Sequence, residues 1–215
     1  MNRTGSLARK TGETDIFVSL DLDGEGVSQI DTGIGFFDHM LSAVAKHGLM
    51  DLTVRVQGDL AVDGHHTVED TGIVLGAALA QALGDKKGIR RVGSCFLPMD
   101  ESLASDTWRE GPCVSCTLAL DRGRRELLLL DGSGARISFD AAFPAEMCGG
   151  YASELTEEFF RAVSVSSGIT LHLKAEGRNT HHMIEALYKA FARALRDAAA
   201  LDPRVKGVPS TKGVL

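Results

Sequence analysis

His65-His66-Thr67-Val68-Glu69 and His181-His182-Met183-Ile184-Glu185 are two copies of one motif, HHxxE, and they hold four of the seven histidines in the chain. An apolar-periodic run follows each copy, Thr71 to Leu83 and then Ala186 to Ala200, so both motifs stand at the start of a helix. Residues three or four apart share a helix face. His65 or His66 can therefore join Glu69, and His181 or His182 can join Glu185. Imidazole and carboxylate on one face form a ligand set for a divalent ion such as zinc, manganese or iron.

The repeat extends upstream. Phe37 to Val44 precedes Gly48-Leu49, an alternating run from Leu52 to Val56 and the first motif. Glu157 to Val163 precedes Gly168-Ile169, a run from Thr170 to Leu173 and the second. Each half reads helix, glycine stop, strand, polar loop, motif, helix, the signature of a duplicated unit. In this register His39 falls opposite Glu158, and each half offers one further ligand-type side chain beside its own motif. His47 reads as the close of a helix, and His172 as a strand residue.

The halves are expected over 1–92 and 93–215, packed as one α+β unit. Strands are expected at Ile16 to Leu22, paired across Asp23-Gly24 with Val27 to Ile30, and at Leu52 to Val56, Leu60 to Val62, Ser94 to Leu97 and Ile137 to Phe139. Leu118 to Leu120 and Leu127 to Leu130 suggest a hairpin. With 44% hydrophobic and 24% charged residues, the chain has the composition of a soluble globular protein. A net charge of −6 gives no case for nucleic acid. No apolar run approaches the ~20 residues of a membrane span. The polar first residues carry no secretory signal, and four cysteines are few for a disulfide scaffold, so a cytoplasmic protein is expected. Cys113 and Cys116 form one CxxC, read as ordinary strand residues ahead of a zinc or redox pair. Lys189 stands one turn beyond Glu185, on the side of the second motif.

The segments FFDHML, GDLAVDGHHTVED, LGDKKGIRR, PMDESLA, ELTEEFF, GRNTHHMIEALYKAFARAL and DPRVKGVPSTKG closely resemble the imidazoleglycerol-phosphate dehydratase family of histidine biosynthesis. The resemblance implies a duplicated unit with helices packed between two small mixed sheets, like domain 2 of ribosomal protein S5. It implies two Mn2+ ions per active site, a small phosphate substrate and a homo-oligomer, a 24-subunit shell built from trimers. The implied metal ligands are His39, His65, His66, Glu69, Glu158, His181, His182 and Glu185. Glu13 falls on a substrate contact, and Arg91, Lys189, Ser210 and Lys212 on phosphate contacts. Glu185 is the first choice for general base, with Glu13 as its acid/base partner. Between Ala104 and Ser138 the chain departs from the family pattern by some twenty residues, read as an added hairpin or a local reading-frame shift. Ala135 stands where an Arg is expected, which leaves Arg136 or Arg124 to make that contact. A metal-binding cage without catalysis and a dinuclear phosphoesterase are the competing readings.

Overall fold

The computed structural model describes residues 3–98, 113–120 and 137–208. Its first half runs β1 (Thr4–Lys10), β2 (Thr14–Asp21), β3 (Ser28–Asp31), α1 (Gly35–Gly48), β4 (Asp51–Gly58) and α2 (His65–Leu83). The second runs β5 (Val92–Pro98), β6 (Cys113–Ala119), β7 (Ile137–Ala141), the short strands β8 (Met147–Cys148) and β9 (Tyr151–Ala152), α3 (Leu155–Ser167), β10 (Thr170–Ala175) and α4 (Thr180–Ala199). The larger sheets have orders β1-β2-β4-β3 and β5-β6-β10-β7. Each has two antiparallel pairings and one parallel edge, β3 on β4 and β7 on β10.

The helices lie between the sheets. Helix α2 packs on β1 and β2, α4 on β5 and β6, and across the layer α1 meets α4 while α2 meets α3. One continuous core results, with Phe37, Phe159, Phe160, Tyr188 and Phe191 among its fully buried side chains. Two glycines show how closely sheet and helix approach. A Cβ on Gly5 of β1 would stand 2.0 Å from the Ala78 carbonyl oxygen, and one on Gly93 of β5 would stand 2.0 Å from that of Ala194. Ala78 and Ala194 hold the same place in their helices, counted from His65 and His181. The two halves thus repeat the same strand-to-helix contact.

Three local readings change. Val27 to Ile30 does not pair across the Asp23-Gly24 turn, because β3 pairs parallel with β4. The Asp51 carboxylate, at the start of β4, accounts for this: it accepts the N–H groups of Glu25 and Val27, both at 2.9 Å, and ties that segment to β4. Leu60 to Val62 forms a turn, closed by the Val62 N–H on the Asp59 carbonyl at 2.8 Å. Helix α1 includes Gly48, and the left-handed residue after it is Leu49, at φ 52°. Strand β1, in a segment read only as polar, has little apolar alternation of its own and is held by register with β2. Cys116 is a buried strand residue, and burial pushes its thiol well up. The partner run 127–130 and most of the 104–138 stretch lie outside the described residues.

Gly93→Ala forces backbone against backbone. It is expected to cost about 1–3 kcal/mol, the usual range for overpacking. Gly12→Ala, with nothing within 4 Å of its new Cβ, is expected to stay within about 0.5 kcal/mol of the parent. Urea unfolding midpoints at matched protein concentration check both.

Candidate metal and substrate site

Both motifs open their helices, and local capping explains the geometry. The Asn179 side chain accepts the His182 N–H at 3.1 Å at the start of α4. Such a cap is worth about 1 kcal/mol. The Asp63 carboxylate accepts the His65 N–H at 2.8 Å at the start of α2. Within each pair the first histidine meets the glutamate one turn on: His65 Nε2 lies 3.7 Å from Glu69 Oε2, and His181 Nε2 3.6 Å from Glu185 Oε2. The second ring is turned away, at 84° between His65 and His66 and 87° between His181 and His182. The duplication therefore extends to side-chain orientation.

His39, His181 and Glu185 converge, with one ligand atom from each within 4.8 Å of the others. His39 Nε2 stands 3.7 Å from Glu185 Oε1. Within one chain His39 of the first half stands beside the motif of the second, not beside that of its own half. The cause is helix packing: α1 crosses α4, not the helix that follows it in its own half. Asp38 anchors the start of α1, accepting the N–H and Oγ1–H of Thr32 at 2.9 and 2.5 Å. Lys189 Nζ stands 2.7 Å from Glu185 Oε1. Burial alone would push the Glu185 carboxyl up, but the hydrogen bond and charge of Lys189, with His39 and His181, hold it below the usual carboxylate value. Two imidazoles and one carboxylate, mutually close and partly exposed, fit a borderline divalent ion.

A second group surrounds His66. Its Nδ1 lies 3.0 and 3.2 Å from the two Asp59 carboxylate oxygens, and its Nε2 lies 3.7 Å from Glu13 Oε1. The Asp59 hydrogen bond, with Glu13 nearby, raises the His66 pKa above its ordinary value. Glu13 sits on the β1–β2 turn, whose Thr11 hydroxyl accepts the Glu13 and Thr14 N–H groups. Asp70, buried on α2, ties down that turn: it accepts the Thr14 hydroxyl at 2.6 Å and pairs with Arg9. Asp59 and Asp70 belong to the GDLAVDGHHTVED segment, and the structure reveals roles for both. Their spacing before and after the histidines was the available signal.

Glu158 is half-buried in the first turn of α3. The opening residue of that helix, Leu155, lies beside Gly64 at the start of α2, 3.4 Å from where its Cβ would be. That places Glu158 on the helix packed against the first motif, again across halves. Arg91 is left-handed at φ 75°, and its N–H bonds the Ala198 carbonyl, nine residues beyond Lys189 along α4. Its backbone therefore stands about 14 Å along the helix from Lys189, at ~1.5 Å per residue. Arg124, Arg136, Ser210 and Lys212 lie outside the described residues. His47 is in the last turn of α1, and burial, then Lys189 and Arg193, lower its pKa. His172 is exposed on β10.

Aromatic rings back the cluster. Phe36 contacts His181 edge-on at 5.0 Å and Tyr151 at 5.3 Å, and the Tyr151 hydroxyl lies 3.3 Å from that of buried Tyr188. A cleft of about 450 Å³ opens beside His181, lined by Phe36, Cys148, Arg178 and Asn179 among others.

A sequence match to the family described as imidazoleglycerol-phosphate dehydratase spans residues 32–195, enclosing both motifs and His39. The chain belongs to the imidazoleglycerol-phosphate dehydratase family, whose enzymes are hydro-lyases of histidine biosynthesis. The imidazoleglycerol-phosphate dehydratase of Symbiobacterium thermophilum is 56% identical over 214 residues, covering 99% of this chain and 93% of that protein. That of Acetivibrio thermocellus is 54% identical over 216 residues, covering all of both. The crystal structure of the Staphylococcus aureus enzyme superposes with a TM-score of 0.74 at 34% identity, covering 93% of this chain and 99% of that one. That of the Pyrococcus furiosus enzyme, in complex with (S)-C348, gives 0.74 at 30%, covering 97% and 100%.

The chain has two tyrosines, both buried beneath this site. Burial pushes Tyr151 up to about 12 and Tyr188 well above its ordinary value. A raised folded pKa contributes stability that is intact below the unfolded value of about 10 and is lost as pH rises through the folded one. Phenolate absorbance is therefore expected to rise for both tyrosines together, in the same step as loss of helix signal. A tyrosine that titrates near pH ~10 in the folded protein contradicts this packing.

Proposed function

We propose that this chain removes water from imidazole glycerol phosphate to give imidazole acetol phosphate, and that it uses two Mn2+ ions per active site. The observation that supports it best is the convergence of His39, His181 and Glu185, with Lys189 on the same carboxylate. Manganese, when bound, supplies Lewis-acid stabilisation of negative charge on the imidazole ring. His39, His181 and Glu185 would hold one ion. His65, His66, Glu69, Glu158 and His182 supply the remaining ligands, and a second copy of the chain completes sites that one copy leaves open. A homo-oligomer, a 24-subunit shell of trimers, and a cytoplasmic location are part of the same proposal, on likeness to the family and on composition. Among the described residues no helix is long and apolar enough to cross a membrane.

The reaction requires loss of a carbon-bound proton and of a hydroxyl. Glu185 is suited to take the proton: Lys189 keeps it ionised, and its position between two histidines brings it to the ring they face. Glu13, held at the rim by the Thr11–Thr14 turn, can return a proton to the departing hydroxyl. Lys189, Arg91 and the Ser210 and Lys212 tail are proposed to grip the phosphate and fix the reacting geometry. The lysine beside Glu185 distinguishes this reading from an inert metal cage, and ligands rich in histidine, not aspartate, argue against a dinuclear phosphoesterase.

Glu185→Gln keeps the shape and removes the base. Turnover of imidazole glycerol phosphate is expected to fall at least about a hundredfold. His66→Ala is expected to lower both manganese per subunit and activity. Turnover within a few fold of the parent for Glu185→Gln moves the base to Glu13. Full activity in protein stripped of metal refutes the metal-dependent mechanism.

A further inference from the structure

A carboxylate can only accept hydrogen bonds, so the ring nitrogen it faces must carry the proton. Both oxygens of Asp59 face His66 Nδ1, at 3.0 and 3.2 Å. The other nitrogen, Nε2, points towards Glu13 at 3.7 Å, beyond hydrogen-bond reach. Asp59 is itself fixed at the corner after β4, where its carbonyl closes the turn with the Val62 N–H. Its side chain is 27% exposed and that of His66 33%, so the pair is partly screened from competing water. We propose that Asp59 is a positioning residue which holds His66 as the Nδ1–H tautomer and aims its bare Nε2 lone pair into the gap before Glu13.

This rests on the reading of His66 as a metal ligand. Outer carboxylates on ligand histidines set tautomer and ring orientation, and their removal typically costs ~10–100-fold in metal affinity. The carboxylate does not recur at the same sequence position in the second copy. Seven residues before His182, where Asp59 stands before His66, the chain has Ala175, buried at the end of β10. The two copies of HHxxE have therefore diverged outside the motif itself.

The test combines histidine nitrogen NMR with manganese affinity. Metal-free protein labelled with 15N-histidine is sedimented and read by solid-state NMR above the imidazole pKa, and His66 is assigned by its loss in His66→Gln. The parent is expected to show the neutral Nδ1–H form. Asp59→Ala is expected to shift His66 towards Nε2–H and to weaken manganese binding about 10–100-fold. Asp59→Asn, whose amide oxygen can still accept, is expected to restore the tautomer and most of the affinity. An Nε2–H tautomer in the parent, or unchanged tautomer or affinity in Asp59→Ala, overturns the proposal. Parent-like manganese binding by His66→Gln overturns instead the reading of His66 as a ligand, and the tautomer result is judged separately.

Discussion

Everything at this site depends on how α1 crosses α4. That crossing carries His39 from the first half of the chain to Glu185 and His181 in the second, to 3.7 Å from the carboxylate. Without it each motif would bring only one of its two histidines to its glutamate, too few for a firm first shell around a divalent ion. The crossing is maintained by buried surface: Phe37, Met40, Leu41 and Val44 on α1 and Leu187, Tyr188, Phe191 and Leu195 on α4 all belong to the common core. Apolar packing thus sets the metal-ligand geometry, and the polar contacts of Asp38 and Asn179 set the starting points of the two helices.

The copies of the unit share a frame and differ in electrostatics. Each presents its first histidine to its glutamate and turns the second away. Around Glu185 an ammonium holds the carboxylate ionised, whereas around His66 the added groups are two carboxylates, Asp59 and Glu13. A reaction that must withdraw a proton at one point and return one at another needs groups with different proton affinities. Divergence of the copies supplies that difference on one scaffold.

Much of this was legible in the sequence. The 3.6 period after each HHxxE located α2 and α4, and the upstream match located α1, α3, β4 and β10, because long amphipathic segments carry strong local signals. Lys189 was legible from helix spacing alone. The grouping of His39 with the second motif was not, since linear order says nothing about which helices cross. Strand β1 was missed because register with β2, not its own apolar content, makes it a strand. Asp59 and Asp70 were missed as partners for a similar reason: neither the loop aspartate Asp59 nor the helical Asp70 has a periodic signature of its role, which appears only when the fold brings Asp59 to His66 and Thr14 to Asp70.

The crossed grouping is open to direct inspection. Crystals of the protein grown with manganese, with data collected at the manganese absorption edge, would locate each ion by anomalous scattering. The account predicts one ion bound by His39, His181 and Glu185 of the same chain. An ion that instead joins His39 to His65 and Glu69 of its own half, with Glu185 uncoordinated, would contradict it.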